Sequence, residues 1–266
     1  MSKRNWADLA WTDFATLPAN TVAILPVGAI EQHGPHLPLS VDADINAGIL
    51  RAALALLPAS VPALALPITS VGISVEHGKF PGSLTMSPET ALALWGEIGD
   101  SVARAGVRRL LILNSHGGQP QVVEIVCRRM RIKHRMLAVG AMWGRIRPTK
   151  VALPATEARH GIHAGLVETA LMLALRPETV RAEKITDATS RAVGLENTAP
   201  TLAGLGYAAL GWMAQDLGPT GAVGDARGAT AELGRALLDD AARAVADLVT
   251  DMAALDLDTW LRDSPA

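Results

Sequence analysis

A single cysteine, Cys127, stands in the 266 residues, so no disulfide can form within the chain. Its neighbours, EIVCRRM, read as helix, and the thiol is expected as a small buried hydrophobe rather than a nucleophile. Aromatics are scarce at 3%, which leaves few platforms for stacking bases. Neither sign of charge dominates: 24 Lys and Arg against 26 Asp and Glu give a formal net charge of −2. There is no basic stripe, so nothing favours nucleic acid as a partner. Long apolar runs are missing as well. Residues 61–75 are apolar, but Pro62, Pro67 and Gly72 interrupt them, and the stretch is too short to span a bilayer. The segment MSKRNWADLAWTDF holds no unbroken apolar core of the kind a signal peptide needs. The expectation is a soluble, cytoplasmic protein with no membrane partner.

What the chain does have is 49% hydrophobic residues, over a length that suits one large α/β domain spanning 1–266. Apolar strand-like runs are expected at 22–30, 61–68, 107–113 and 136–142. Helices are expected at 45–57, 88–105, 120–133 and 164–175. The second of these has Ser87 as N-cap and Pro88 in the first helical position. Residues 177–226 are richer in Gly, Pro and Thr and read as loop with short elements, and 228–255 read as a long helical region. Near-continuous apolar strands between helices predict a mostly parallel β-sheet covered by helices on both faces. In such sheets ligands sit beyond the carboxyl ends of the strands.

Polar clusters fall at those ends. EQHGPHLPLSVDAD follows the first strand and offers Glu31, His33, His36, Asp42 and Asp44, with Asp42 expected just before a helix. Glu31 and His33 are two apart, so an extended chain points both to one side. NSHGGQ follows the third strand and offers His116, with Gly117 and Gly118 allowing close approach. Carboxylates and imidazoles without a thiol suit a divalent metal such as zinc, manganese or iron. The competing reading is that the acids cap turns and the histidines are structural. A third stretch, RHGIHAGLVETALML, carries Glu168 in a helix that is apolar nearly all round. A buried carboxylate needs a strong partner, either a metal or an arginine. His163 and Glu168 lie about 140° apart on an ideal helix, so they converge only if His163 precedes it. EHGKFPGSLTM, with Ser83, and TGAVGDARGATAELG read as loops that could line a pocket. Arg108, Arg109, Arg128, Arg129 and Arg131 read as solvated faces or subunit contacts.

Taken in order, LPVGAIEQHGPHLPLSVDAD, FPGSLT, NSHGGQ, HAGLVETALML and TGAVGDARGATAE resemble the creatininase (creatinine amidohydrolase) family over about residues 20–235. The resemblance implies a metal-dependent hydrolase with an α/β fold, usually two metals per chain, and commonly a homohexamer. It implies that Glu31 and His116 hold one metal, that His33 holds the other, and that Asp42 bridges them. His163 matches the histidine beside the reacting amide, and Trp143 falls where creatininases carry a tryptophan near the substrate. Creatininases proper have a glutamate where this chain has Gly118, and relatives with an HGG block have one where it has Leu166. The nearest acid, Glu168, is therefore expected to complete the second metal site and take part in catalysis. Arg159 stands in place of a second substrate-covering tryptophan. The expected reaction is hydrolysis of a non-peptide C–N bond, in a cyclic amide or formamide other than creatinine, by water that the metals activate. One metal, or a backbone N–H near Gly117, is expected to steady the oxyanion, and Ser83 and Trp143 to meet a small-molecule substrate. A peptide or lactone hydrolase on the same site, and a non-catalytic metal-binding relative, are the alternatives.

Overall fold

Four strands, β1 (Val22–Val27), β2 (Ala63–Ala65), β3 (Arg109–Asn114) and β4 (Leu137–Met142), run parallel in the order β2-β1-β3-β4. The computed structural model describes residues 4–202 and 209–262. Val27 lies level with Asn114, and Asn114 with Met142, so the carboxyl ends of three strands form one rim. β1 and β3 are buried at every residue. Their side chains alternate between two cores, which is why both strands read as continuous apolar runs.

Val22, Ile24, Leu111 and Leu113 face one core, shared with α1 (Val41–Leu56), α5 (Leu166–Leu175) and the long C-terminal helix Ala231–Ala254. Ala23, Leu25, Val27, Leu110 and Ile112 face the other, with α2 (Pro88–Arg104) and α3 (Pro120–His134). The mostly parallel sheet with helices on both faces is as the sequence predicts. Ser87 caps α2, its hydroxyl accepting the Thr90 N–H at 3.2 Å. Cys127 is buried on α3, where burial pushes its thiol up to about 12. Among the described residues no helix is long and apolar enough to cross a membrane.

Two expectations need correction. First, α1 begins at Val41, four residues before the predicted start, so Asp42 lies inside its first turn. Carboxylates are favoured there by the free N–H groups and the positive end of the helix. Second, Arg109 is no solvated residue. It is buried at the start of β3, and its guanidinium donates to the carbonyls of Met252 (2.8 Å), Ala19 (2.9 Å) and Leu255 (2.8 Å). One arginine fork thus ties the segment before β1 to the end of the C-terminal helix through three carbonyls. The region expected as loop with short elements holds such an element, an antiparallel pair, Asp187–Ala188 with Gly224–Asp225; residues 203–208 of that region lie outside those described. A short helix, α4 (Ala155–His160), precedes it.

Candidate metal centre

The rim of the sheet is braced before any functional group is placed. Asn46 of α1 donates to the carbonyls of Val27 (3.1 Å) and Leu113 (2.8 Å), tying the ends of β1 and β3 to one helix. Ser115 donates to the Asp42 carbonyl at 2.8 Å. Asn114 clamps the next loop from both sides, accepting the His116 N–H and donating to the His116 carbonyl, each at 2.9 Å. Gln119 donates to Asn114 at 2.9 Å and accepts the Ile73 N–H at 3.1 Å. Each amide is buried, and Asn114 and Gln119 both donate and accept, so the loops after β1, β2 and β3 are held in mutual register.

On this frame Glu31, His33, Asp42, His116 and His163 are all buried. Glu31 Oε1 lies 3.2 Å from His116 Nδ1, 3.3 Å from His77 Nε2 and 3.7 Å from His163 Nδ1. Asp42 divides its oxygens, Oδ2 at 3.3 Å from His116 Nδ1 and Oδ1 at 3.7 Å from His33 Nε2. Glu168 Oε2 is 3.7 Å from the same His33 nitrogen. Two triads result, Glu31–Asp42–His116 and His33–Asp42–Glu168, and they share Asp42. Within each, the ligand atoms lie within 4.8 Å of one another. Glu31 also groups with His33 and His163, and with Glu76 and His77.

These atoms fit a cation. Both Glu31 carboxylate oxygens, His33 Nε2 and Asp42 Oδ2 are buried with no hydrogen-bond partner, an arrangement that folded proteins avoid. The donor set is all nitrogen and oxygen, which suits zinc, manganese or iron. The free lone pairs also point the right way. His116 Nε2 donates to the Ile73 carbonyl (2.7 Å), which leaves Nδ1 toward Glu31 and Asp42. His33 Nδ1 donates to the Glu31 carbonyl (3.1 Å), which leaves Nε2 toward Asp42 and Glu168.

The family model for creatinine amidohydrolase matches residues 7–249. The chain belongs to the creatininase family. A mycofactocin precursor peptide peptidase of Mycobacterium tuberculosis (strain CDC 1551 / Oshkosh) is 34% identical over 241 residues, covering 86% of this chain and 87% of that protein. A creatinine amidohydrolase of Pseudomonas putida is 28% identical over 194 residues, 68% of this chain and 75% of that one. Among solved structures, a creatinine amidohydrolase from Bacteroides fragilis NCTC 9343 superposes with a TM-score of 0.76 at 24% identity, covering 97% of this chain and 99% of that one. A manganese creatininase gives a TM-score of 0.74 at 22% identity, covering 96% and 100%. A divalent metal is thus the expected cofactor of this creatininase-family chain.

The electrostatics of the site follow from burial and crowding. Burial opposes charge on His33, yet Asp42, Glu168 and Glu31 outweigh it and lift the imidazole to about 9. His116 rises well above its ordinary value for the same reason, with Glu31 and Asp42 overcoming burial. Asp42 is held far below the usual carboxylate range because His116 and His33 overcome its desolvation. Glu168 goes the other way: burial, reinforced by the charge of Asp42, raises it to about 7 against the pull of His33. His163 lies between two rings, 4.1 Å from His33 and 4.5 Å from His77 between centroids. Burial and the charges on those neighbours hold it well below the ordinary imidazole range.

His163 does precede its helix, since α5 starts at Leu166, and it reaches His33 from one side while Glu168 reaches it from another. Ser83 accepts the Gln32 N–H at 3.0 Å and so braces the loop that carries Glu31 and His33. Gly117 is exposed beside His116, with open space where a side chain would stand. Trp143 packs at the margin of the core formed by α1, α5 and the C-terminal helix. His36 bonds Thr169 at 2.9 Å, and Asp44 pairs with Ser40 and Arg176. Sequence reasoning missed Gln32, Glu76, His77 and Glu157. Gln32 donates to His77 Nδ1 (2.8 Å) and to the Gly221 carbonyl (3.0 Å). Glu157 accepts the N–H groups of Leu166 and Asp225, pinning the turn before α5. Glu76 and His77 sit in the loop read as pocket lining; a carboxylate beside an imidazole there was the available signal.

Proposed function

We propose that this protein is a metal-dependent amidohydrolase that cleaves an amide C–N bond in short peptides. The observation that carries the reading is Asp42, buried at the junction of two triads and turning one oxygen to each. In this reading Glu31, Asp42 and His116 hold one divalent metal, and His33, Asp42 and Glu168 hold the second. Such metals supply Lewis acidity and make water nucleophilic at neutral pH.

The remaining work belongs to the side chains. His163 Nε2 is engaged with the Gln32 carbonyl at 2.6 Å, so Nδ1 carries the lone pair and faces Glu31. A neutral imidazole in that state takes a proton from the attacking water and returns it to the leaving nitrogen. Gly117 borders open space, and its N–H is offered to the oxyanion. Trp143 and Ser83 flank the approach of substrate. The enzyme is read as a cytoplasmic homo-oligomer, a hexamer on family resemblance.

The sequence expectation of a non-peptide bond is widened here. The relative that is 34% identical over 86% of the chain is named a precursor peptide peptidase, which favours peptides. The relative named creatinine amidohydrolase favours a second reading, cyclic amides and formamides. Metal analysis followed by a screen of short peptides, cyclic amides, formamides and lactones tests both. About two divalent ions per chain with peptide turnover is the expected result. Metal binding with no amide hydrolysis of any class would sink the proposal.

A further inference from the structure

The loop after β2 brings Glu76 to the back of His116. Glu76 Oε1 lies 3.4 Å from His116 Nε2, the ring nitrogen that is not turned to Glu31 and Asp42. The same nitrogen donates to the Ile73 carbonyl at 2.7 Å, so Nε2 carries the proton and Glu76 places negative charge beside it. The Glu76 side chain is only 12% exposed, so this charge is poorly screened by water. Position 118 is built around it. A Cβ on Gly118 would fall 2.1 Å from Glu76 Oε1 and 2.5 Å from His116 Nε2, a space no side chain can share with that carboxylate. Gly118 has no positive φ to explain its glycine; the requirement for it is space.

We infer that Glu76 is a positioning residue for the first metal. Paired with the Ile73 carbonyl it fixes the tautomer and tilt of His116 and makes Nδ1 a stronger donor toward the Glu31–Asp42 side, and Gly118 is side-chain-free so that it can. Carboxylates behind a ligating imidazole act in this way, and their loss typically lowers metal affinity by about 10–100-fold. Glu76 is not required to touch the metal or the substrate.

The inference rests on reading Glu31, Asp42 and His116 as a metal site, and the test separates the two. Full-length protein stripped of metal is titrated with Zn²⁺ against a chromophoric chelator, for the wild type and for Glu76→Gln, with circular dichroism confirming the fold of each. The expected result is two equivalents bound in both, with the tighter constant weakened about 10–100-fold in E76Q. Glu76→Asp should recover part of the loss. Gly118→Ala should weaken binding in the wild type, and by a smaller factor when Glu76 is already alanine. Affinity unchanged in E76Q overturns the inference while leaving the metal site intact. Loss of a whole equivalent overturns it too, because Glu76 would then be a ligand. If the wild type itself binds no divalent ion, the metal reading fails instead. If Gly118→Ala costs the same in both backgrounds, the claimed link between the two positions is refuted.

Discussion

Asp42→Asn keeps the size of the side chain and removes its charge. Asp42 is buried between two imidazoles, so the variant isolates what the shared carboxylate contributes. The metal-free protein gives a number. His33 is raised from 6.5 to about 9, against the opposing effect of burial, with Asp42 the foremost of the raising groups. At about 1.4 kcal/mol for each tenfold change, that rise corresponds to about 3 kcal/mol in favour of the charged ring. A group whose pKa is raised on folding contributes stability that is complete below its unfolded value and is lost as pH rises through its folded value. The His33 contribution is therefore full below pH 6.5 and gone above about 9. Most of it should vanish in D42N, with Glu168 and Glu31 retaining the remainder.

Urea unfolding of chelator-treated protein at about pH 6 and about pH 10 checks this. At the lower pH, D42N should be less stable than wild type by about 2–3 kcal/mol, at the lower edge of the roughly 3–5 kcal/mol for breaking a buried pair. At the higher pH the deficit should shrink by most of that amount. Metal content and turnover should disappear together in the same variant. An equal deficit at both pH values would refute the electrostatic reasoning, since a packing defect does not titrate. No deficit at either would show that the carboxylate is not coupled to these rings at all.

Three further outcomes follow from the same geometry. His163→Ala should keep its metal by elemental analysis yet lose turnover by about 10²–10⁴-fold; loss of metal instead would make His163 a ligand. Zn²⁺ binding at pH 7 should release more than one proton per chain, because His33, His116 and part of Glu168 are protonated without a cation; calorimetry in buffers of different ionisation enthalpy reads this directly, and zero release contradicts it. Glu157→Ala should cost about 1–3 kcal/mol in thermal or urea unfolding, since a buried and a part-buried N–H group lose their acceptor; a variant as stable as wild type would mean those groups find other partners.

Much of this architecture was legible because the signals were local. Continuous apolar runs marked β1 and β3, whose alternate residues feed two cores, and Ser87-Pro88 marked the start of α2. Glu31, His33, Asp42 and His116 could be singled out because each follows a strand on the rim where such sheets bind ligands. What escaped was non-local. Glu76 and His77 meet Glu31 and His116 only because Gln119 ties the loop at Ile73 to β3, and no periodicity encodes that. Arg109 looked like half of a surface pair with Arg108 because its partners are carbonyls at Ala19, Met252 and Leu255, and backbone acceptors leave no mark in a sequence. The start of α1 was placed late because Asp42 and Asp44 read as loop residues until the helix whose first turn they occupy is seen.

The two departures from the family pattern resolve differently. At Gly118 the missing carboxylate is not simply absent, since Glu76 stands where a side chain would go. At Leu166 no such exchange takes place in the same space. Leu166 and Glu168 are two apart on a helix, about 200° around its axis, so they serve opposite directions. Leu166 is buried at the first position of α5, and its N–H is held by Glu157. Glu168 turns the other way, to His33, and accepts the N–H of Ala164. That N–H is aimed by a left-handed Ala164, φ 53°, a conformation a residue with a Cβ adopts at a cost of about 1–2 kcal/mol. The strain sits on the one turn joining His163 to Glu168, so both groups reach His33 from a single short segment. Glu168 is thus placed by the backbone before α5 as much as by α5 itself, and the second triad depends on that turn.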